Sequence, residues 1–291
     1  MTHVSPSGYF DVPPEFSRYD SSRFVILPVP YEASTSYGHG AARGPAAILS
    51  ASRQVELYDE VSDSEPFRAG IHSLPPVAVD GAVGAAAMER IAAAVRPHLR
   101  AGKFPIVLGG EHSLTTGVVR AVRDHAPEVG VVQCDAHGDL RDTYQDSPWS
   151  HACVMRRLAE MGCPTVGVGI RSCCPEERDF MRHARLPRWF AHEIVGHEQW
   201  IDEVIAATPP RVFVTFDVDV FDPGIMSATG TPEPGGLGWY PVLAFLKRLF
   251  AAREVVGMDV VELAPQPHNH AADFLVAKLI YKTIGFQART Q

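Results

Sequence analysis

The sequence predicts an α/β fold, a mostly parallel sheet covered by helices, on three observations. Short β-branched runs alternate with longer Ala/Leu-rich stretches along the chain. The 291 residues are 46% apolar and 21% charged, which is enough to bury a large core and excludes disorder as the main state. Several apolar runs also close on polar residues, and in such sheets ligands bind outside the carboxyl ends of the strands.

Residues 1–22, rich in Pro, Ser and acids and without a sustained period, are expected to form an arm that frays or lies on a neighbour. No boundary is visible after it, so residues 23–291 are expected to form a single domain. Phe-Val-Ile-Leu at 24–27, Pro-Ile-Val-Leu at 105–108, Val-Gly-Val-Val-Gln-Cys at 129–134 and Thr-Val-Gly-Val-Gly-Ile at 165–170 are the first four strands. Two longer apolar runs, 211–219 and 255–263, supply two more. Helical stretches fall at 83–99, 114–125, 152–161, 176–183, 199–207, 241–252 and 273–284.

With 26 Lys+Arg against 34 Asp+Glu, the net charge of −8 disfavours nucleic acid and anionic lipid and suits a cationic partner. The opening residues lack a leader pattern and no run reaches the ~18 apolar residues of a membrane span, so a cytoplasmic location is the expectation. The five cysteines, odd in number and without zinc spacing, are expected to be reduced thiols.

Three strand ends carry chemistry. Gly109-Gly-Glu-His112-Ser follows the second strand, and its glycines are expected to allow a sharp turn that presents His112. In Cys134-Asp-Ala-His-Gly-Asp139, alternation along an extended segment puts Asp135, His137 and Asp139 on one face. The same period puts Asp217 and Asp219 together in Asp217-Val-Asp219-Val-Phe-Asp-Pro, where two close like charges require something positive between them. Asp222-Pro-Gly is expected to be a turn without a metal role. Two imidazoles and four carboxylates are too many for one ion and suit two, with oxygen-rich ligation favouring a harder ion such as Mn²⁺ over Zn²⁺.

These motifs, followed by residues 228–236 (Ala-Thr-Gly-Thr-Pro-Glu-Pro-Gly-Gly) and Gly257-Met-Asp-Val-Val-Glu262, resemble the ureohydrolase family of arginase and agmatinase. The likeness runs in order from about Phe24 to the C-terminus and is strongest to agmatinase, through residues 31–40, 150–157 and 228–236. It implies a three-layer α/β/α sandwich, assembled as a homotrimer or homohexamer. It further implies two Mn²⁺ per chain, one held by His112, Asp135, Asp139 and Asp217, the other by Asp135, His137, Asp217 and Asp219. His151 matches the family's proton-shuttling histidine and Glu262 its guanidinium-binding carboxylate, while Thr231 matches a residue lining the substrate site. Asp139 would orient the attacking water, and the implied reaction cleaves a guanidino group to urea and an amine, agmatine to putrescine being the expected case. Guanidinobutyrate, guanidinopropionate and arginine are the alternative substrates.

The chain departs from the family pattern at Glu111 and Gly138, where Asp and Thr are frequent, and in the loop 267–271, whose His268 and His270 have no assigned role. Within 140–149, Asp142 and Asp146 would favour a distal ammonium, whereas Arg141 would pair either with a distal carboxylate or with one of those neighbouring acids. A metal-dependent deacetylase shares the layout, but a one-metal site has no need of His112, Asp139 and Asp219 together. A non-catalytic family member would be expected to lack a ligand or Glu262, and none is missing.

Overall fold

The computed structural model describes residues 8–79 and 81–289. Among the described residues, eight strands form one sheet: β1 (Phe24–Val29), β2 (Ile71–Ser73), β3 (Phe104–Gly109), β4 (Gly130–Cys134), β5 (Thr165–Ile170), β6 (Arg188–Phe190), β7 (Arg211–Asp217) and β8 (Glu254–Val261). Every pairing is parallel and the order is β2-β1-β3-β8-β7-β4-β5-β6. Parallel strands need crossovers, and these place the helices on both faces. They are α1 (Gly44–Ser52), α2 (Gly84–Arg100), α3 (Thr115–His125), α4 (Val154–Glu160), α5 (Pro175–His183), α6 (Ala191–Ile194), α7 (Trp200–Ala207), α8 (Trp239–Ala252) and α9 (His270–Ala288).

Alternate strand residues feed two separate cores, which makes the three layers. Phe24, Ile26, Ile106, Leu108, Val214 and Phe216 pack with Ile48 of α1 and with α7, α8 and α9. Leu27, Val29, Val107, Val131 and Phe213 pack with α2, α3 and α4 on the opposite side. Strands buried on both faces have no polar side to alternate, and for that reason they are near-continuous apolar runs in the sequence.

Four elements escaped the sequence reading. β2 and β6 are three-residue strands at the two edges of the sheet, too short to show a period. α6 is a single turn, and α1 begins at Gly44-Pro45, a dipeptide that reads as a loop although proline is well suited to a helix's first turn. The expected arm also behaves differently where it is described. Tyr9 and Phe10 are buried in the chain's own core, with the Tyr9 hydroxyl donating to the Ala277 carbonyl at 2.6 Å and the Phe10 ring 4.3 Å from that of Tyr281. Residues 1–7 of that arm lie outside the described residues. Among the described residues no helix is long and apolar enough to cross a membrane.

The strand order is what creates a site. β3, β8, β7 and β4 are adjacent at the centre, and because they are parallel their carboxyl ends open onto one edge.

Candidate metal centre

At the end of β3 the chain enters one 3₁₀ turn, His112–Leu114. Neither Gly109 nor Gly110 has a positive φ, so they are not the predicted sharp turn. Gly110 serves close approach instead, since a Cβ there would lie 2.0 Å from the Tyr31 carbonyl oxygen. His112 Nε2 is 2.8 Å from Thr215 Oγ1, which orients Nδ1 toward the centre. There Nδ1 lies 3.1 Å from Asp135 Oδ2, 3.0 Å from Asp139 Oδ2 and 3.4 Å from Asp217 Oδ2.

β4 stops at Cys134, and the next residues are not the extended segment the alternation argument required. Asp139 has φ 53°, a left-handed backbone that turns its carboxylate back toward His112. β7 likewise stops at Asp217, and Asp219 sits in a 3₁₀ turn, Val218–Val220, with its backbone N–H donating to Asp217 Oδ1 at 2.9 Å. The residues named by a strand period are thus brought together by turns. His137 Nδ1 lies 2.8 Å from Asp219 Oδ2 and 3.7 Å from Asp135 Oδ1. β8 ends at Val261, and Glu262, at φ 66°, accepts from the His112 backbone N–H at 2.6 Å.

Two groups of three potential ligands result, His112–Asp135–Asp139 and Asp135–His137–Asp219, each with its donor atoms within 4.8 Å of one another. Asp135 belongs to both. Asp217 adjoins the first through His112.

The electrostatics of the cluster follow from its burial. Burial opposes a charge on His112, but the carboxylates of Asp135, Asp139 and Asp217 outweigh it and raise its pKa well above the usual imidazole range. Burial raises Asp139 to about 7, the Asp135 charge adding to it, and burial raises Glu262 to about 8. Asp217 is raised by burial and by Asp219 and Asp135. Burial also opposes the Asp135 charge, yet contacts with His112 and His137 bring its pKa down. Four acids share this space with two imidazoles, and His112 Nδ1 is buried with no well-aligned hydrogen-bond partner among the described residues. Divalent cations fit such a donor set, because they satisfy Nδ1 and neutralise carboxylates that otherwise hold protons.

A cavity of about 230 Å³ lies over this cluster, lined by His112, His137, Asp139, Asp217 and Asp219 and by the predicted His151, Thr231 and Glu262. His151 stands edge-on to the Tyr144 ring at 5.8 Å, and burial holds its imidazole below the usual pKa. Of the loop 140–149, Arg141 and Tyr144 line the cavity. Arg141 lies over the Tyr144 ring at 5.1 Å and has no carboxylate ion pair among the described residues. Asp142 is instead bound by Arg157 at 2.7 Å, and neither it nor Asp146 lines the cavity, so the expected acidic contacts to a distal ammonium are absent from that loop. Asp222 caps its turn, accepting from the N–H groups of Gly224, Gly235 and Gly236. His268 and His270 join neither ligand group.

Sequence reasoning gave no role to Tyr37, Ser172 and Glu233 on the cavity wall, although Tyr37 and Glu233 lie in the stretches 31–40 and 228–236 that carry the likeness; Ser172 is a loop residue with no period to mark it. It also missed Arg171, whose guanidinium donates to the carbonyls of Asp219, Phe221 and Glu233 and so ties the Asp219 turn to the cavity rim.

A parallel-sheet core with two groups of potential metal ligands at its carboxyl edge, beneath a polar cavity, is the layout of a metal-assisted hydrolase. The arginase-family model matches residues 22–285. The chain is 43% identical over 99% of its length, and 98% of the relative's, to an N(1)-aminopropylagmatine ureohydrolase of Synechocystis. It is 36% identical to an agmatinase of Pyrococcus horikoshii over 91% of this chain and 92% of that one. The crystal structure of the agmatine ureohydrolase of Thermoplasma volcanium superposes with a TM-score of 0.85 at 29% identity, covering 98% of this chain and 95% of that chain. The chain belongs to the arginase family.

Proposed function

We propose that the chain hydrolyses the guanidino group of a guanidino-terminated polyamine, releasing urea and the amine. The sharing of Asp135 between two ligand groups directly beneath the cavity carries this reading, since it suits a pair of cations side by side. His112, Asp135, Asp139 and Asp217 would hold one Mn²⁺, and Asp135, His137, Asp217 and Asp219 the other. When bound, the ions supply Lewis-acid chemistry that makes water a nucleophile at neutral pH. Asp139 orients that water toward the planar guanidinium carbon. Glu262 holds the guanidinium by charge-assisted hydrogen bonds, and Thr231 lines the same cavity. Water adds to the carbon and gives up a proton that His151 takes, the bond from that carbon to the nitrogen bearing the alkyl chain breaks, and His151 passes the proton to the departing amine, leaving urea.

For the substrate, similarity across nearly the whole length to a relative named for N(1)-aminopropylagmatine favours that compound, which would yield spermidine, ahead of agmatine, which would yield putrescine. Four carboxylates, two divalent ions and one hydroxide sum to about −1, and Glu262 and Glu233 add to a field that suits a cation. One observation favours a second reading: the unpaired Arg141 at the cavity wall would complement the carboxylate of a guanidino acid. Assembly as a homotrimer or homohexamer belongs to the proposal and is checked by light scattering. The decisive experiment compares urea release by the Mn²⁺-loaded enzyme from N(1)-aminopropylagmatine, agmatine and guanidinobutyrate. His151→Asn should keep its metal and lose about 10²–10⁴ in kcat; urea release unaffected by that change would refute the proton-donor role.

A further inference from the structure

Glu111 is fully buried and, among the described residues, belongs to neither group of potential metal ligands. Its carboxylate is instead saturated with donors. Oε2 accepts from the backbone N–H groups of Ala33 and Ser34, each at 2.6 Å, and Oε1 accepts from the Ser34 hydroxyl at 2.9 Å and from the Ser113 hydroxyl. The loop after β1 is thereby pinned to the start of the His112 turn. The Ser34 hydroxyl lies against His151: the His151 backbone N–H donates to Ser34 Oγ at 3.0 Å, and His151 Nδ1 is 3.3 Å from the same oxygen.

Hydrogen counting gives this string a direction. A serine hydroxyl has one hydrogen, and its contact with Glu111, which arrives as an acceptor, uses it. Toward His151 the oxygen can then only accept, so Nδ1 carries the hydrogen and Nε2 is the nitrogen left to exchange a proton in the cavity. Ser150 Oγ, also 3.3 Å from Nδ1, has no such commitment and can accept from the same N–H.

We propose that Glu111 and Ser34 are positioning residues that fix the tautomer and orientation of His151, in a carboxylate–hydroxyl–imidazole string that works as the acid of a catalytic triad works on its histidine. The inference rests on His151 being the proton donor. Without Ser34 the ring is free to turn or to carry its hydrogen on the wrong nitrogen, which slows proton delivery and leaves substrate binding alone.

The test is a double-mutant cycle on the Mn²⁺-loaded enzyme. Ser34→Ala should lower kcat by roughly 10- to 100-fold with KM and metal content unchanged, Ser34→Thr should restore most of it, and Ser34→Ala should cost nothing further in a His151→Asn background. An equal loss from Ser34→Ala in both backgrounds, or no loss in the wild-type background while His151→Asn is impaired, overturns the string and leaves the proton donor standing. If His151→Asn itself retains full kcat, the proton-donor reading falls and the string with it.

Discussion

Removing divalent metal should make the protein's stability fall as pH rises, and the structure sets the size of the effect. In the metal-free centre Asp139 is raised from 3.8 to about 7 and Glu262 from 4.5 to about 8. Each then holds a proton in the native state that the unfolded chain has already released. Native protein binds more protons across that window, so its stability is fully present below about pH 4 and is lost as pH climbs to about 8. Each raised group contributes in the same direction, and because they sit in one coupled cluster their contributions amount to several kcal/mol together and do not simply add. His112, also raised, acts in the same direction. Asp135, whose pKa is depressed, contributes stability lost only on acidification below this window. Thermal unfolding in a chelator should therefore show Tm falling by roughly several degrees between about pH 5 and pH 8. Excess Mn²⁺ should abolish or reverse that slope, because metal takes the place of the protons and its affinity grows as they leave. A flat or rising Tm in chelator over this range would refute the reasoning that the cluster is built to hold cations.

Asp135→Asn should strip metal from both positions whereas Asp219→Asn should spare one, as metal analysis of the purified variants would show; equal stoichiometries would contradict the sharing of Asp135. Arg141→Ala should leave turnover of a guanidino polyamine unchanged or improved but cost a guanidino acid about 1.5–3 kcal/mol, read as a roughly ten- to hundredfold drop in kcat/KM. Lys282 is buried between Asp59 at 2.8 Å and Glu60 at 2.7 Å, and Lys282→Met should destabilise the fold by about 3–5 kcal/mol in denaturant titration by leaving Asp59 buried and unpaired.

The parallel sheet was legible because strands buried on both faces are near-continuously apolar, and β3, β4, β5, β7 and β8 all stand out as such runs between helical stretches. The edge strands β2 and β6 were not, since three residues in a parallel pairing take their stability from the neighbouring strand and leave no pattern of their own. Tyr9 and Phe10 were hidden for a related reason. Two aromatic residues in a proline-rich stretch look like exposed chain until α9 supplies the surface that buries them.

At the centre, residue types alone determined that acids and imidazoles closing buried strands require a cation, since desolvating such charges unpaired is too costly. Which of them meet was decided by tertiary structure. The left-handed backbone at Asp139 and Glu262 and the 3₁₀ turn that carries Asp219 are conformations a strand period does not encode, and they hold only because the packed strand ends surround them. The contact between Glu111 and Ser34, 77 positions apart, exists only because β1 and β3 lie side by side. A sequence carries the chemistry of each side chain, but the geometry between distant ones is a property of the sheet order, which brings four parallel carboxyl ends to a single edge.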